Sequence, residues 1–320
     1  MAIELDARPA GFTHQFLLIP LKTQPVEKNF LSKILTGWNP EFNTLPINGY
    51  NISGNSIQVR HYIDHNVEDT LTFPLSVLKI PSGISDTAKW ISQKRMITKH
   101  YYLGTDRYGR DILSRLLVGS RVSISVGLVS VFCSLFIGLL LGSLAGWYRG
   151  RTDDIVMWLV NVLWSIPTLL LVFAITLTIG KGFWEILVAI GLTSWVSAAR
   201  LIRGQVLQVK EMEFITAAKA LGYSGRRIII RHILPNIAGP VMVIAAANFA
   251  SAILIEAGLS FLGFGVQPPV PSWGLMIKEH YTFLVAGNPF PAIIPGLAIV
   301  ILVLAFNILG NALRDVLDVR

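Results

Sequence analysis

The chain has 320 residues, of which 52% are hydrophobic and only 14% are charged, against roughly 25% charged residues in an ordinary soluble domain. This composition excludes a soluble enzyme built around a single core and indicates a membrane protein. The formal net charge of +8 becomes informative only when the charges are placed along the chain.

Residues 1–100 are predicted to form a small extracytoplasmic segment of mixed, mainly β structure. Residues 56–64 and 70–80 are rich in β-branched and aromatic residues, and Asn and Gly residues typical of turns precede them. His61 and His65 would lie about 13 Å apart on a strand, which is too far for both to bind one metal ion. No metal site is therefore predicted.

Four runs without a charged residue follow, at 122–148, 155–180, 232–255 and 280–313. Each exceeds the roughly 20 residues that cross a bilayer. A fifth, weaker run reaches about 20 residues if Glu185 and Arg200 lie at the membrane interfaces. Residues 101–320 are therefore predicted to form an all-α, polytopic helix bundle. Its membrane helices are expected near 120–147, 155–180, 183–203, 236–258 and 290–313, with a cytoplasmic loop at 204–235.

Basic residues are concentrated in the loops and helix ends on one side of the membrane. They are Arg149, Arg151, Arg200, Arg203, Lys210, Lys219, Arg226, Arg227, Arg231, Arg314 and Arg320. The positive-inside rule places them in the cytoplasm, together with the C-terminus, and places residues 1–118 outside. Because no signal sequence is visible before this outer segment, we expect another membrane helix upstream of Met1. The excess of basic residues thus indicates the orientation of the chain in the membrane. Nucleic acid is not an expected partner.

Three glycines of the first membrane helix, Gly138, Gly142 and Gly146, recur at four-residue spacing. Small residues in this pattern let helix backbones approach closely in a membrane. They predict a packed helix interface, either within the chain or with a partner chain. The alternative is the general enrichment of glycine in membrane helices.

Polar residues and a proline within the membrane helices are candidates for lining a translocation pathway, because such groups usually face protein or water. The candidates are Asn161, Ser165, Pro167, Asn248, Ser251 and Glu256. Pro167 also predicts a kink in the second helix. For Glu256, the only acid within a hydrophobic stretch, an interfacial or structurally paired carboxylate is the alternative.

The longest internal loop is predicted to contain two short helices. The first covers residues 211–221 and has acidic residues in its first turn. Gly222 supplies the left-handed residue that commonly ends a helix, Ser224 can cap the second helix, and Pro235 stops it.

Four apolar residues of the first loop helix share one face, and they are Phe214, Ala217, Ala218 and Leu221. An exposed apolar face on a basic loop favours docking to a partner chain. The alternative is a helix that lies along the membrane interface.

The same loop resembles the coupling segment of the membrane-spanning subunits of ATP-binding-cassette (ABC) importers. That segment reads Glu-Ala-Ala, three residues, Gly, nine residues, an apolar residue, any residue and Leu-Pro. The matching positions hold Thr216, Ala217, Ala218, Gly222, His232, Leu234 and Pro235. Thr216 replaces the motif glutamate and His232 replaces the apolar residue. Glu213, one turn earlier, is the candidate for the missing charge.

Further segments resemble the dipeptide, oligopeptide and nickel branch of that family. They are LGTDRYGRDILSRLLVGSRVS at 103–123, EAGLSFLGFGVQPPVPSWGLMI at 256–277 and the C-terminal FNILGNALRDVLDVR. The resemblance implies a permease subunit of a bacterial inner-membrane importer, with six membrane helices of which the first is missing here. It implies a second permease subunit, two ABC ATPases and an extracytoplasmic solute-binding protein as partners. Peptides are the implied substrate, with nickel or another small solute as the alternative.

No catalytic residue is predicted. The chain lacks a GxxxxGK[ST] phosphate-binding loop, so ATP is expected to bind to the partner ATPases and no cofactor to this chain. It also lacks the HExxH zinc motif and the GxSxG nucleophile motif. An intramembrane enzyme and a non-transport membrane scaffold are the less favoured alternatives.

Overall fold

The computed structural model describes residues 5–21, 41–64, 67–81, 84, 86–285 and 287–317. The chain divides into two compact units. The first comprises Met1–Val118 with His280–Pro291, and the second comprises Gly119–Glu279 with Ala292–Arg320. The boundary predicted at residue 100 therefore falls inside the first unit, and His65 lies outside the described residues.

The first unit contains a five-stranded antiparallel sheet. Its strands are β1 (Phe12–Pro20), β2 (Phe42–Ser53), β3 (Ser56–Asp64), β4 (Val67–Pro74) and β5 (Met96–Tyr101). They lie in the order β4-β3-β2-β1-β5, which confirms the β structure predicted for this region. The strand predicted at 70–80 is shorter, because Pro74 has no N–H to continue the ladder and a 3₁₀ turn follows at Leu75–Leu78.

The central strand β1 is buried on both faces. Phe16 and Leu17 are both fully buried, and successive residues of a strand point to opposite sides. Leu17 packs with Ile91 of the short helix α1 (Thr87–Lys94). That helix begins at Asp86, whose carboxylate accepts a hydrogen bond from the Lys89 N–H (3.0 Å).

A buried carboxylate organises the end of the first unit. The Oδ1 atom of Asp106 accepts hydrogen bonds from the backbone N–H groups of Tyr108 (2.8 Å) and Arg110 (2.9 Å). Its Oδ2 atom accepts from Arg110 Nε and Arg115 Nη1, both at 2.6 Å. The TDRYGRD segment, singled out by its resemblance to a permease family, is therefore a turn closed around one aspartate.

The rest of the chain is helical. Its helices are α2 (Ile112–Tyr148), α3 (Gly150–Trp164), α4 (Thr168–Ile179), α5 (Phe183–Lys210), α6 (Glu213–Ala220), α7 (Gly225–Ile228), α8 (Leu234–Asn236), α9 (Ala238–Leu262), α10 (Trp273–Val285) and α11 (Phe290–Leu317). Among the described residues, α2, α5, α9 and α11 are long and apolar enough to cross a membrane. The pair α3 and α4 makes a fifth candidate if it is counted as one broken span.

Residues 155–180, predicted as one helix with a kink, form two helices bent by 87°. The first ends where the Ser165 N–H donates to the Asn161 carbonyl and the Ser165 hydroxyl donates to the Val162 carbonyl (2.8 Å). Pro167 has no N–H to continue that helix, and it stands immediately before the first residue of α4. The proline thus separates two helices instead of bending one.

Other helix bounds also differ from the predictions. Helix α2 begins at Ile112, and α5 continues to Lys210, so the loop predicted at 204–235 starts at Glu211. Helix α10 is an additional element. Its charged pair, Lys278 and Glu279, interrupts the apolar run on which the helix prediction depended.

The glycine ridge of α2 packs against α5. A Cβ atom on Gly142 would lie 2.6 Å from the carbonyl oxygen of Ala199, and one on Gly146 would lie 2.8 Å from the Cβ of Val206. Gly138 is equally close to α5. The predicted packed interface is therefore confirmed, and it lies within the chain.

Candidate functional site

The first loop helix, α6, is the candidate coupling helix. Glu213 lies in its first turn, where the helix dipole favours an acid. At its end the Gly222 N–H donates to the Lys219 carbonyl (2.9 Å), and the Tyr223 N–H donates to the Ala218 carbonyl (3.2 Å). This is a Schellman cap, and Gly222 has the positive φ of +78° that the cap requires.

The coupling helix has two apolar faces. Ile215 and Ala218 are buried, and they belong to a core cluster shared with residues of α5, α7 and α9. Phe214, Ala217 and Leu221 lie on the other side; Phe214 is 40% exposed and Leu221 is 72% exposed. The single apolar face predicted from the sequence is therefore wrong for Ala218, which at 4% exposure packs inward.

Trp147 joins three elements beneath the coupling helix. A Cβ atom on Gly225 would lie 2.6 Å from the indole Nε1, so the start of α7 passes directly over the ring. The Nζ atoms of Lys210 and Lys219 lie 5.4 and 5.3 Å from the ring centroid, close enough for cation–π attraction. Lys210 also donates to the Trp147 carbonyl (2.6 Å). The end of α2 is thereby tied to α5, α6 and α7.

The segment after the coupling helix differs from the prediction in two respects. Ser224 precedes α7, but its side chain makes no capping hydrogen bond. Pro235 is the second residue of α8 and follows helical residues directly. A π-helical turn, Ile229–Ile233, links α7 to α8. The predicted stop at Pro235 is therefore wrong, and helical structure continues up to α9.

The remaining motif positions occupy different surroundings. Thr216 is exposed on the coupling helix. His232 stacks its ring on Tyr223 with a centroid distance of 6.0 Å. Leu234 is partly buried against the core cluster that contains Ile215. His232, which stands where the family motif has an apolar residue, thus still contributes a packed ring.

An ion pair fixes α3 against α5. Arg203 donates from Nε and Nη2 to the two carboxylate oxygens of Asp153, both at 2.5 Å. Such a bidentate geometry is specific to the arginine–carboxylate pair. Arg149 and Glu211 form a second pair (2.8 Å), but it is exposed and contributes little to stability. Sequence reasoning missed the first pair, because charge spacing does not reveal which residues meet across 50 positions.

Asn248, predicted as a pathway residue, lies in a polar cluster between helices. Its amide donates to Ser134 Oγ (2.5 Å) and to the Ser194 carbonyl (3.3 Å). Its Oδ1 atom accepts from Ser197 Oγ (3.0 Å). The side chain is buried and connects α9 to α2 and α5. These contacts give it a structural role in holding three membrane helices together.

Glu256 is also fully buried. Its Oε1 atom accepts a hydrogen bond from Ser260 Oγ (2.7 Å), and Ser272 Oγ lies 3.4 Å from that hydroxyl. The Oε2 atom has no hydrogen-bond partner among the described residues. One carboxylate oxygen is therefore paired with a serine and the other is not, and the role of Glu256 in the pathway stays a prediction.

The other four pathway candidates are exposed on the single chain. Asn161 accepts from Arg200 Nη2 (2.7 Å), and Ser165 and Pro167 lie at the break between α3 and α4. Ser251 lies on the exposed side of α9. The six candidates thus divide into two buried groups and four groups that are exposed on the single chain.

Residues 138–320 match a protein family described as the binding-protein-dependent transport system inner membrane component. The matched range includes the coupling helix and all residues of its buried core. Sequence relatives extend the similarity toward the N-terminus over 218 to 232 residues.

The relatives include the glutathione transport system permease protein GsiD of Pectobacterium atrosepticum, which is 42% identical over 68% of this chain and 72% of its own length. The oligopeptide transport system permease protein OppC of Bacillus subtilis is 38% identical over 72% of this chain and 76% of its own length. The dipeptide permease DppC of the same organism is 38% identical over 68% of each chain.

A solved structure of the MetNI methionine ABC transporter, in an inward-facing conformation, has a chain of similar fold. The TM-score is 0.57 at 20% sequence identity, and the match covers 65% of this chain and 98% of that chain. The similarity in fold therefore extends over nearly all of the solved chain.

Proposed function

Because the chain belongs to the family of binding-protein-dependent transport system inner membrane components, we propose that α6 docks on the ATPase that drives the transporter. The chain is a permease subunit of an ABC importer of the peptide branch and is not an enzyme. The proposal rests on one observation: a helix whose inner face is packed into the core presents an apolar outer face of Phe214, Ala217 and Leu221.

This arrangement suits the transmission of movement. A force applied to the outer face of α6 acts on Ile215, which packs with residues of α5 and α9. Close packing makes such a core resist compression and pass displacement on. Closure of two ATPases would in this way shift the membrane helices, and alternating access would follow as a rocking motion around the substrate path.

We further propose an orientation and a set of partners. The basic loop that contains α6 faces the cytoplasm, and residues 1–118 with their β-sheet lie outside, as the positive-inside rule predicts. A solute-binding protein would deliver substrate to that outer side. A second homologous permease subunit would complete the path. Glu213, Thr216, Gly222, His232, Leu234 and Pro235 belong to the proposed docking segment, with Ala218 acting from inside as a packing residue.

Peptides are the proposed substrate class. This follows from the names of the relatives, which transport glutathione, oligopeptides or dipeptides. Nickel or another small solute is the second candidate. Uptake of labelled dipeptides by the complete transporter, with unlabelled peptide or Ni²⁺ as competitor, would distinguish the two substrates.

The docking role can be tested with Ala217→Arg. The substitution places a large charged side chain in the centre of the proposed contact, while Ala217 has an exposed side chain and loses no buried packing. We expect the variant to insert normally into membranes but to lose ATP-driven uptake by at least tenfold and to copurify poorly with the ATPase. Asp154→Arg, an exposed position in α3, is the matched control. Normal uptake by Ala217→Arg would refute the docking role.

A further inference from the structure

An apolar groove lies between the second half of α2 and the segment that follows the coupling helix. Its volume is about 520 Å³, within the range of roughly 300–1,000 Å³ that is typical of small-ligand sites. Phe136 and Leu140 of α2 line one side, and Ile230 lines the other. All three side chains are exposed in the single chain, so the groove is open to its surroundings.

The groove has the length of one membrane leaflet. It extends along α2 from Phe136 to Tyr148, and 12 residues of helix measure about 18 Å. The hydrocarbon core of a bilayer is about 30 Å thick, or about 15 Å for each leaflet. Tyr148 stands at the end of the charge-free run of α2, which is where a membrane interface is expected.

One arginine lines the groove, and two more line a neighbouring cavity. Arg226 lines the groove itself, and it follows Gly225, which packs on Trp147. A second cavity of about 310 Å³ shares Arg226 and is lined in addition by Arg227 and Arg231. Among the described residues, no carboxylate pairs with Arg226 or Arg231. The apolar groove therefore opens beside unneutralised positive charge.

A polar group lies inside the groove. Ser143 is 5% exposed and lines the wall. Its hydroxyl has no hydrogen-bond partner among the described residues, although a buried hydroxyl normally has one. It lies five residues before Tyr148, or about 7.5 Å deeper along the helix. A ligand that fills the groove would need an acceptor at this depth.

We propose that the groove binds one anionic phospholipid of the surrounding bilayer. The headgroup phosphate lies at Arg226 and Arg231, an ester carbonyl accepts a hydrogen bond from Ser143, and an acyl chain extends toward Phe136. Basic pockets at the ends of membrane helices bind anionic headgroups in this manner. Net negative charge on the lipid matches the arginine cluster, and the apolar wall matches the chain.

The site would connect lipid binding to the coupling helix. Ile229 lines the groove and also belongs to the core cluster that contains Ile215 of α6. A lipid in the groove would hold the π-helical turn against α2 and so stiffen the support of the coupling helix. An empty groove would leave that turn supported on one side only.

Native mass spectrometry of the full chain, in the complex with which it is purified, tests this directly. After delipidation, dioleoylphosphatidylglycerol or dioleoylphosphatidylcholine is titrated into the detergent solution. We expect one phosphatidylglycerol to bind tightly and phosphatidylcholine to bind at least fivefold more weakly. Arg226→Gln and Arg231→Gln should each weaken phosphatidylglycerol binding about fivefold. Arg151→Gln, an exposed arginine outside the groove, should leave binding unchanged.

Ser143→Phe tests whether the lipid binds in the groove or only through the charge of the arginines. The substitution fills the apolar groove and keeps the arginines. We expect it to abolish the tightly bound lipid. Equal affinity for the two lipids, equal binding by Arg226→Gln and Arg151→Gln, or full retention by Ser143→Phe would each overturn the proposal. A structure of the complex with a protein helix seated in the groove would overturn it as well.

Discussion

Asp106 is a buried carboxylate whose charge is balanced inside the first unit. Burial alone would raise its pKa, but the backbone N–H and guanidinium of Arg110, with the Tyr108 N–H and the Arg115 guanidinium, together hold the pKa below its ordinary value of 3.8. The side chain is fully buried, so removing its charge weakens its ion pairs with two arginines at once. The TDRYGRD turn should therefore depend strongly on this residue.

We expect Asp106→Asn to lower the free energy of unfolding by about 3 kcal/mol, the usual cost of removing one partner of a buried ion pair. Because the folded pKa is lowered, the ionic contribution is fully present above pH 3.8 and is lost as the pH falls through the folded value. Thermal unfolding of the detergent-solubilised chain at several pH values measures both effects. Asp69→Asn, at an exposed position, is the control, and an equal loss in both variants would contradict the assignment.

Gly222 has a backbone role, in the cap of the coupling helix, and a proposed surface role in docking. The two roles can be tested separately. A Cβ atom there would meet nothing within 4 Å, but the φ of +78° is costly for any other residue by about 1–2 kcal/mol. We expect Gly222→Ala to keep most of its uptake activity and Gly222→Trp to insert normally but uncouple ATP hydrolysis from uptake. Equal defects in the two variants would point to the backbone conformation and against the docking role.

At the scale of the elements, charge-free runs located the long apolar helices, because burial of charge in lipid is costly. The same criterion missed α10, where Lys278 and Glu279 lie within a helix. It also joined α3 to α4, because both are apolar and only Pro167 distinguishes a bend from a break. The apolar spacing predicted that Ala218 shares a face with Phe214 and Leu221. The spacing does not show that Ala218 instead packs inward together with Ile215.

The pathway candidates show a related limit. The sequence identifies polar residues in membrane helices but does not identify their partners. Asn248 is held by three serines from α2 and α5. Nothing in the sequence distinguishes these serines from the other serines of the same helices. The glycine ridge was predictable, because a four-residue spacing on one helix already defines a contact surface.

The α2–α5 interface gives a prediction for a pair of elements. A Cβ atom on Gly142 would lie 2.6 Å from the Ala199 carbonyl oxygen, whereas one on Gly296 of α11 would meet nothing within 4 Å. We expect Gly142→Ala to destabilise the protein by about 1–3 kcal/mol through overpacking. Gly296→Ala should be neutral or slightly stabilising, since alanine favours helix. Fluorescence-detected size-exclusion chromatography after heating compares the two, and an equal midpoint would exclude a tight interface.

At the scale of the molecule, the membrane helices leave large apolar side chains uncovered. They include Phe132 and Phe136 on α2 and Ile301 and Ile308 on α11. Exposed apolar surfaces of this size mark contacts with lipid or with another protein chain. These exposed side chains support the proposal that the chain forms half of a pathway with a second permease subunit.

The proposed orientation can be tested by labelling single cysteines. Cys133 is the only cysteine in the chain, so Cys133→Ser provides a background without thiols. Asn55→Cys lies in the exposed turn between β2 and β3, and Arg151→Cys lies at the exposed start of α3. In intact cells a membrane-impermeant maleimide should label Asn55→Cys alone, and permeabilised cells should label both. Labelling of Arg151→Cys alone in intact cells would contradict the proposed orientation. It would also place the coupling helix outside the cytoplasm.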